Sequence, residues 1–422
     1  MSKISKIWAR EILDSRGTPT VEAVCQLDTG QVSVGSVPSG ASTSQHEALE
    51  LRDEDPHRYL GKGVLKAVAN VNDILGPGVW GMEAQDQEKI DTRLIEIDGS
   101  NNKSKYGANA ILAISIVACK AAAMAENVPL YQWINRLAQK EGVKKSIKIP
   151  TPVFNMINGG LHGAGNLDFQ EFHVIPASAK DWETGLLSGV EIYMTLGKDL
   201  KRRGAIHSLG DEGGYAPNLF TNADALEVLV ESIKSTKYQL GRDVFLGLDV
   251  ASNLFYKNGE YVIRDKSSPL KDTALLEYYE FINSQYHLAL IEDPFYEDGW
   301  ESWKMLLASM PGVTVVGDDL LATNPVRVEK AIKELACNGI LIKPNQIGTI
   351  TETLKVIKMA LEAKWKIIVS HRSGETNDWF IADFAVGVGA DFLKFGAPAR
   401  GERVAKYNRL SSIYSELRTQ TK

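Results

Sequence analysis

A cation, an imidazole and hydroxyl groups lie together in the segment 370–374, which reads Ser-His-Arg-Ser-Gly. The segment directly follows residues 366–369, whose apolar run predicts the end of a buried strand. Barrel enzymes carry out their chemistry at the carboxyl ends of their strands. Cationic and hydroxyl donors in this arrangement suit a phosphate or a carboxylate.

The same pattern, an apolar run that ends in a polar side chain, recurs along the second half of the chain. The polar ends are Asp249, Glu292, Asp318, Lys343, His371 and Lys394. The last five follow one another at intervals of 23 to 28 residues, about the length of one strand, one helix and two short loops. A single carboxylate after a strand is most simply a helix N-cap. Six complementary polar ends in succession favour a catalytic rim instead.

Helical patterns at 326–336 and 351–363 lie between these predicted strands. Alternating strands and helices predict a parallel sheet, and enough such units close it into a barrel. The spacing alone therefore predicts a regular barrel. Because a barrel needs only about 250 residues, a chain of 422 residues has room for a second module.

The N-terminal part has a different pattern. Residues 4–12 predict a strand, and residues 21–27 and 32–37 alternate with period two around the turn Asp28-Thr29-Gly30, which predicts an antiparallel meander. The small residues 38–44 predict either a surface loop or a lid that closes on a ligand. Helices are predicted at 48–53, 64–73, 85–95 and 107–127.

The basic, proline-containing stretch 140–152 predicts the domain boundary. The chain is thus predicted to be α/β, with an N-terminal α+β capping domain over 1–140 and an α/β barrel over 141–422.

The composition excludes several classes of protein. A net charge of −6 gives no support to nucleic-acid binding. The first ten residues are charged throughout and do not resemble a signal peptide. The apolar segment 108–125 contains Asn109, Ser115 and Lys120, so it predicts a buried helix and not a membrane span. Three distant cysteines predict free thiols and a cytoplasmic location.

Long motifs carry a resemblance to a known family over essentially the whole chain. They are DSRGTPTVE at 14–22, PSGAST at 38–43, KSKYGANAIL at 103–112, NGGLH at 158–162, QEF at 170–172, GDEGGYAPN at 210–218, IEDPF at 291–295, GDDL at 317–320, KPNQIGT at 343–349 and SHRSGET at 370–376. In this order they resemble the enolase family. The resemblance implies a modified eight-stranded barrel whose first helix and second strand run against the usual direction.

The resemblance also implies a reaction, the reversible dehydration of 2-phosphoglycerate to phosphoenolpyruvate in glycolysis and gluconeogenesis. It implies two Mg²⁺ ions per active site, the second arriving with the substrate. The implied metal ligands are Asp249, Glu292, Asp318 and, from the lid, Ser42. All-oxygen ligands without His or Cys suit Mg²⁺.

Roles for the other site residues follow from the same resemblance. Lys343 is the implied base, and we expect nearby cations to lower its pKa, because only a neutral lysine accepts a proton. Glu212 is the implied proton donor to the departing hydroxyl, with its pKa raised by Glu171. Glu171, His371 and Lys394 are further implied catalytic residues. The implied substrate-binding residues are Ser42, His162, Gln170, Glu171, His371, Arg372, Ser373 and Lys394, of which Arg372 and Ser373 would hold the phosphate.

The sequence departs from the family pattern at several positions near these motifs. Ser44 and Gln45 follow the lid motif where a glycine and an acid are usual, and Leu254, Asn377 and Phe395 replace other usual residues. The family commonly forms dimers or octamers in which an N-terminal acid pairs with an arginine of the partner. Glu22 is present here, but Ser412 stands at the arginine's place, so this ion pair is predicted to be missing.

Three other functions remain open from the sequence. One is a different reaction of the same superfamily, although residues 172–175 lack its Lys-x-Lys pair and the segment 371–373 favours phosphate. Another is a non-catalytic binding role, as a surface receptor or in an RNA-processing assembly. The third is a catalytically impaired paralogue.

Overall fold

The N-terminal residues form a three-stranded antiparallel meander. The computed structural model describes residues 2–40, 44–163, 165 and 167–420. Strands β1 (Ile4–Leu13), β2 (Pro19–Leu27) and β3 (Val32–Ser36) pair in sequence order, as predicted. At the second turn Gly30 has a φ of +85°, a conformation that favours glycine, and its N–H donates to the carbonyl of Leu27 at 3.0 Å.

Four α-helices of the described residues follow this meander, and the first and third of them pack directly on its strands. They are α1 (Leu65–Asn70), α2 (Gln87–Asp98), α3 (Ala108–Ala125) and α4 (Leu130–Lys140). Helix α3 is apolar and long enough to cross a membrane by length and composition, yet 83% of it is buried inside the protein. It is the core helix of the N-terminal domain, as predicted.

The helix predicted at 48–53 is wrong. Residues 48–55 form an irregular segment whose backbone groups bond to other parts of the fold. Ala48 N donates to Gln346 O at 2.8 Å, and Leu49 N donates to Asn102 O at 2.9 Å. These distant partners replace the local i to i−4 bonds of a helix, so tertiary contacts override the local helical propensity.

The second domain is a closed eight-stranded barrel. Its strands are β4 (Thr151–Asn158), β5 (Glu171–Pro176), β6 (Val244–Asp249), β9 (Leu288–Glu292), β10 (Thr314–Gly317), β11 (Gly339–Ile342), β12 (Lys366–Ser370) and β13 (Phe392–Lys394). A small ribbon of β7 (Tyr256–Lys257) and β8 (Glu260–Tyr261) lies between β6 and β9 in the sequence. Strand β13 pairs with β4 and closes the barrel.

One barrel strand runs in the opposite direction from the others. Strand β5 pairs antiparallel with both β4 and β6. The regular barrel predicted from spacing is therefore wrong, and the reversed second strand implied by the resemblance is confirmed. The connection after β4 is short: only residues 159–170 separate β4 from β5, whereas every later pair of consecutive barrel strands is joined by at least 21 residues. A short connection favours antiparallel neighbours.

Nine helices of the described residues follow the barrel strands. They are α5 (Trp182–Arg202), α6 (Asn222–Lys234), α7 (Asp272–Tyr286), α8 (Trp300–Ser309), α9 (Pro325–Glu334), α10 (Pro344–Ile347), α11 (Ile350–Glu362), α12 (Phe380–Gly387) and α13 (Gly401–Gln420). The barrel interior is filled by one apolar side chain from each of six strands: Val153, Ile175, Leu290, Val316, Leu341 and Ile368. This packed interior leaves the rim as the place for polar chemistry.

The strand register places the polar ends in one row. Glu171 on β5 is opposite Asp249 on β6, and Asp249 is opposite Glu292 on β9. On the far side of the barrel Ser370 is opposite Lys394. Residues that lie far apart in sequence are thereby brought to the same level of the barrel.

The two domains are joined by a buried carboxylate. Asp91 of α2 accepts hydrogen bonds from the Thr351 N–H at 2.9 Å and the Thr351 hydroxyl at 2.7 Å, at the start of α11. Gln87 Nε2 donates to the same carboxylate at 3.0 Å. Burial raises the pKa of Asp91 to about 6, although these hydrogen bonds act in the opposite direction.

We therefore expect the stabilising effect of Asp91 to depend on pH. Because its folded-state pKa lies above its unfolded one, this contribution is fully present below pH of about 4 and is lost as the pH rises through about 6. As the pH rises from about 4 to above about 6, the free energy of unfolding of Asp91→Asn should therefore increase by about 3 kcal/mol relative to that of wild type. Urea titrations over this pH range measure the difference. The exposed Asp73→Asn is the control, and a pH-independent difference for Asp91→Asn would contradict the prediction.

Candidate active site

A lysine at the centre of the rim joins three carboxylates. Lys394 Nζ lies 2.9 Å from Asp249 Oδ2, 2.8 Å from Glu292 Oε2 and 3.4 Å from Glu171 Oε2. All four side chains are buried. Burial acts to lower the pKa of Lys394, but Asp249, Glu171 and Glu292 outweigh it and hold that pKa well above its usual value. Lys394 is therefore a fixed cation.

The second rim lysine, Lys343, forms an ion pair with Asp318. Gln346 Nε2 donates to the other oxygen of Asp318 at 2.9 Å. Burial acts to lower the pKa of Lys343, and the Asp318 charge reverses this effect, so its pKa lies above the usual value. Arg372 and Lys394 act to lower this pKa, as predicted for nearby cations, but Asp318 outweighs them. The lowered pKa that we expect with bound Mg²⁺ stays a prediction.

The three predicted metal ligands offer only oxygen donors in a buried, strongly negative region. Burial and then repulsion from Asp249 raise the pKa of Glu292 well above its usual value. Such an excess of buried negative charge fits a hard divalent cation. In the described residues, Asp318 has donor oxygens within 4.8 Å of those of Asp293 and Asp319, whereas Lys394 lies between Asp249 and Glu292. Asp293 and Asp319 are acids that the sequence analysis did not include.

Two further carboxylates are bridged by a histidine. His162 Nδ1 lies 3.1 Å from Glu171 Oε1 and 3.5 Å from Glu212 Oε1. Burial opposes the charge on His162, but Glu212 and Glu171 outweigh burial and raise its pKa. The two carboxylates therefore favour the charged form of His162.

A second histidine contacts the other side of Glu212. His371 Nε2 lies 3.0 Å from Glu212 Oε2, and Asn155 Nδ2 donates to the same oxygen at 3.2 Å. Burial and Glu171 act to raise the pKa of Glu212, but His371 and His162 overcome them and lower it to about 2. The predicted raised pKa of Glu212 is therefore wrong, because two histidines contact Glu212 and outweigh the neighbouring carboxylate.

The predicted phosphate-binding residues form a separate group. Arg372 makes a two-point ion pair with Glu47, with Nη1 to Oε2 at 2.9 Å and Nη2 to Oε1 at 3.3 Å. Asn345 Oδ1 accepts from the same guanidinium at 3.0 Å. Arg16 Nη1 donates to the Ser373 hydroxyl at 3.2 Å. Glu47 and Arg16 come from the N-terminal domain, so both domains build this part of the site.

A glycine permits the close contact between the domains. The backbones of Ser39 and Gly374 exchange two hydrogen bonds of 2.8 and 2.9 Å. A Cβ atom at Gly374 would lie 2.1 Å from Asp14 Oδ2 and 2.5 Å from Ser39 Oγ. A larger residue there would have to displace these side chains of the N-terminal domain.

The predicted residues converge on one small cavity of about 20 Å³. It is lined by Ser370 and by every predicted site residue except Glu292 and Ser42. Glu292 contacts Lys394 beside it. Ser42 lies outside the described residues, and so does the centre of the predicted lid. The residues predicted from the sequence therefore lie close together in the folded chain. Their roles stay predictions.

Two of the departures from the family pattern make polar contacts. Ser44 Oγ donates to Glu297 Oε2 at 2.6 Å, and Gln45 Nε2 donates to Glu297 Oε1 at 3.1 Å. At the predicted subunit contact, Glu22 accepts a 2.7 Å hydrogen bond from Arg10 Nε of the same chain.

Sequence analysis missed several residues that contact the site. His173 was not among the predicted site residues, yet its Nε2 lies 2.9 Å from Glu171 Oε2. A period-two pattern on β5 could have found it, since alternate residues face the same side of a strand. Glu47 and Arg16 had no such signal, because their partners lie 325 and 357 residues away in the sequence.

The fold and the residues at the barrel rim together define a lyase of the enolase superfamily. Its barrel has one reversed strand and carries a capping domain. Two family models match the chain. The model described as Enolase, N-terminal domain matches residues 4–134, and that described as Enolase, C-terminal TIM barrel domain matches residues 146–422. The chain belongs to the enolase family.

Removing the partner of Arg372 should destabilise the protein. The Glu47→Gln variant leaves a buried guanidinium without its carboxylate, so we expect the free energy of unfolding to fall by about 3 kcal/mol. Urea titration measures the change. The exposed Glu301→Gln on α8 is the matched control and should change stability by less than about 0.5 kcal/mol. Equal stability of Glu47→Gln and wild type would show that the pair does not hold the two domains together.

Proposed function

We propose that the protein catalyses the reversible dehydration of 2-phosphoglycerate to phosphoenolpyruvate with Mg²⁺. The observation that carries the proposal is the convergence of two lysines, a carboxylate cluster and an Arg–Ser pair on one cavity. A phosphorylated hydroxy acid needs these groups, because it carries both a phosphate and a carboxylate. Arg372 and Ser373 suit the phosphate, and Lys394 suits the carboxylate.

Lys343 is the proposed base. Its amine lies at the carboxyl end of β11, across the barrel rim from the Glu171–His162–Glu212 group, so the two sets can act on different atoms of one substrate. Loss of the proton beside a carboxylate builds up negative charge there, and fixed cations such as Lys394 stabilise it.

The group of Glu171, His162 and Glu212, across the rim from Lys343, is proposed to assist the departure of hydroxide. Glu212 is ionised, with a pKa of about 2, and His162 has a raised pKa. The proton required by the leaving hydroxyl is therefore assigned to the coupled group of Glu171, His162 and Glu212 and not to Glu212 alone. Gln170, whose Nε2 donates to Asp249 Oδ2 at 3.2 Å, orients the adjoining carboxylate.

Asp249, Glu292 and Asp318 are the proposed holders of the first Mg²⁺, with Ser42 and the substrate completing a second site. When bound there, Mg²⁺ would supply concentrated positive charge for a reaction that develops negative charge on the substrate carboxylate.

We also propose that the enzyme works in the cytoplasm, in glycolysis or gluconeogenesis, as a homo-oligomer. The three cysteines are free and buried, which suits a reducing compartment. Analytical ultracentrifugation would measure the proposed homo-oligomer and distinguish a dimer from an octamer.

Removal of the proposed base should abolish turnover. We expect Lys343→Met to reduce kcat at least about 1000-fold, because general-base catalysis is lost while the side-chain volume is kept. Ultraviolet absorbance of the enol phosphate follows the reaction with 2-phosphoglycerate and Mg²⁺. Lys333→Met, an exposed lysine of α9, is the control. A flat trace for folded wild type would overturn the proposed function, whereas full activity of Lys343→Met would overturn only the assignment of the base.

Binding of Mg²⁺ should be visible without turnover. At a hundredfold excess over the dissociation constant, a ligand of the folded state raises the free energy of unfolding by about 2.7 kcal/mol. We expect a corresponding rise in the melting temperature of wild type and of Glu301→Gln, but none in Glu292→Gln. A magnesium effect of equal size in Glu292→Gln would exclude these carboxylates as the site.

A further inference from the structure

An arginine of the last helix lies behind the active site. Arg403 belongs to α13, and its side chain is fully buried. Its Nη1 lies 2.8 Å from His371 Nδ1, on the side of the imidazole that faces away from Glu212. Among the described residues, Arg403 is not one of those that line the site cavity.

The hydrogen-bond chemistry of arginine decides the state of His371. A guanidinium has only donors, so Nδ1 of His371 must accept from it. The proton of the neutral imidazole then lies on Nε2, which donates to Glu212 Oε2 at 3.0 Å. The chain of donors therefore runs in one direction, from Arg403 through His371 to Glu212.

Arg403 also joins the two loops that carry these residues. Its Nη1 donates to the carbonyl of Arg372 at 2.7 Å, and its Nη2 donates to those of Ser373 at 2.5 Å and Asp211 at 3.2 Å. One guanidinium thus binds the loop of the phosphate-binding residues and the residue before Glu212. A lysine at this position has three donors on one atom and cannot match the planar spread of these acceptors.

Close packing keeps the imidazole in this orientation. A Cβ atom built at Gly396 would lie 2.9 Å from His371 Cε1 and 3.2 Å from Arg403 Cδ, so the backbone presses against both groups. Burial, together with the Arg403 charge, lowers the pKa of His371 against the opposing effect of Glu212, so the neutral ring that the hydrogen bonds require is favoured. The pKa of His162, on the other side of Glu212, is shifted in the opposite direction.

We propose that Arg403 is a positioning residue that fixes His371 in its Nε2–H tautomer and thereby orients Glu212. The significance for catalysis rests on the proposed function, in which Glu212 assists the loss of hydroxide. The tautomer itself follows from the contacts of Arg403 alone. Two experiments therefore separate the inference from the proposed reaction.

The first experiment measures the tautomer directly. The protein has seven histidines, all of which can be labelled with ¹⁵N. The signals of His371 are identified as those that are missing from the spectrum of His371→Gln. We expect long-range ¹H–¹⁵N spectra near neutral pH to show an unprotonated Nδ1 and a protonated Nε2 in wild type. Arg403→Met should lose this single tautomer. A wild-type proton on Nδ1, or a spectrum unchanged in Arg403→Met, would overturn the inference.

The second experiment measures the consequence for turnover. We expect kcat for 2-phosphoglycerate to fall roughly 100-fold in Arg403→Met and to recover partly in Arg403→Lys. Arg409→Met is the matched control, because Arg409 lies on the same helix and pairs with the buried Asp383. Its kcat and its His371 spectrum should stay at wild-type values.

The outcomes distinguish the two hypotheses. No turnover in wild type would overturn the proposed function, and the ¹⁵N spectrum would still decide the tautomer. Equal losses of kcat in Arg403→Met and Arg409→Met, with an unchanged spectrum, would reduce Arg403 to a structural residue.

Discussion

Buried negative charge at the barrel rim is the constraint on which the rest of the site depends. The side chains of Glu171, Glu212, Asp249, Glu292 and Asp318 are almost entirely removed from water. Burying an ionised carboxylate without a partner costs several kcal/mol. Each acid must therefore be paired, hydrogen-bonded or neutralised, and the rim lysines and histidines are placed accordingly.

This constraint gives neighbouring acids opposite properties. Two histidines contact Glu212 and lower its pKa to about 2, whereas burial and Asp249 raise the pKa of Glu292 well above its usual value. Both are glutamates, and both lie in the same region. The difference comes from which charged groups each one contacts.

The N-terminal domain and the last helix complete the site from outside the barrel. Glu47 neutralises Arg372, Arg16 contacts Ser373, and Arg403 binds the loops behind them. A barrel alone would leave these groups without their partners. The capping domain therefore contributes side chains to the rim site and does not only cover it.

The sequence by itself determined the parts that depend on local order. Apolar runs that end in Asp249, Glu292, Lys343 and Lys394 predict buried strands, because the length and the apolar character of a strand depend on consecutive residues. A resemblance carried by long motifs added the reversed strand. Local patterns also misled, since residues 48–53 have a helical pattern but bond to Gln346 and Asn102 instead.

Only the tertiary structure decided the charges and the pairings. The directions of the pKa shifts at Lys343 and Glu212 depend on which groups lie within a few ångströms, and no local pattern specifies such distances. The contact of Arg403 with His371 joins residues on different elements of the folded chain. Residue types can therefore be read from the sequence, whereas the state in which each one works is set by neighbours that only folding brings together.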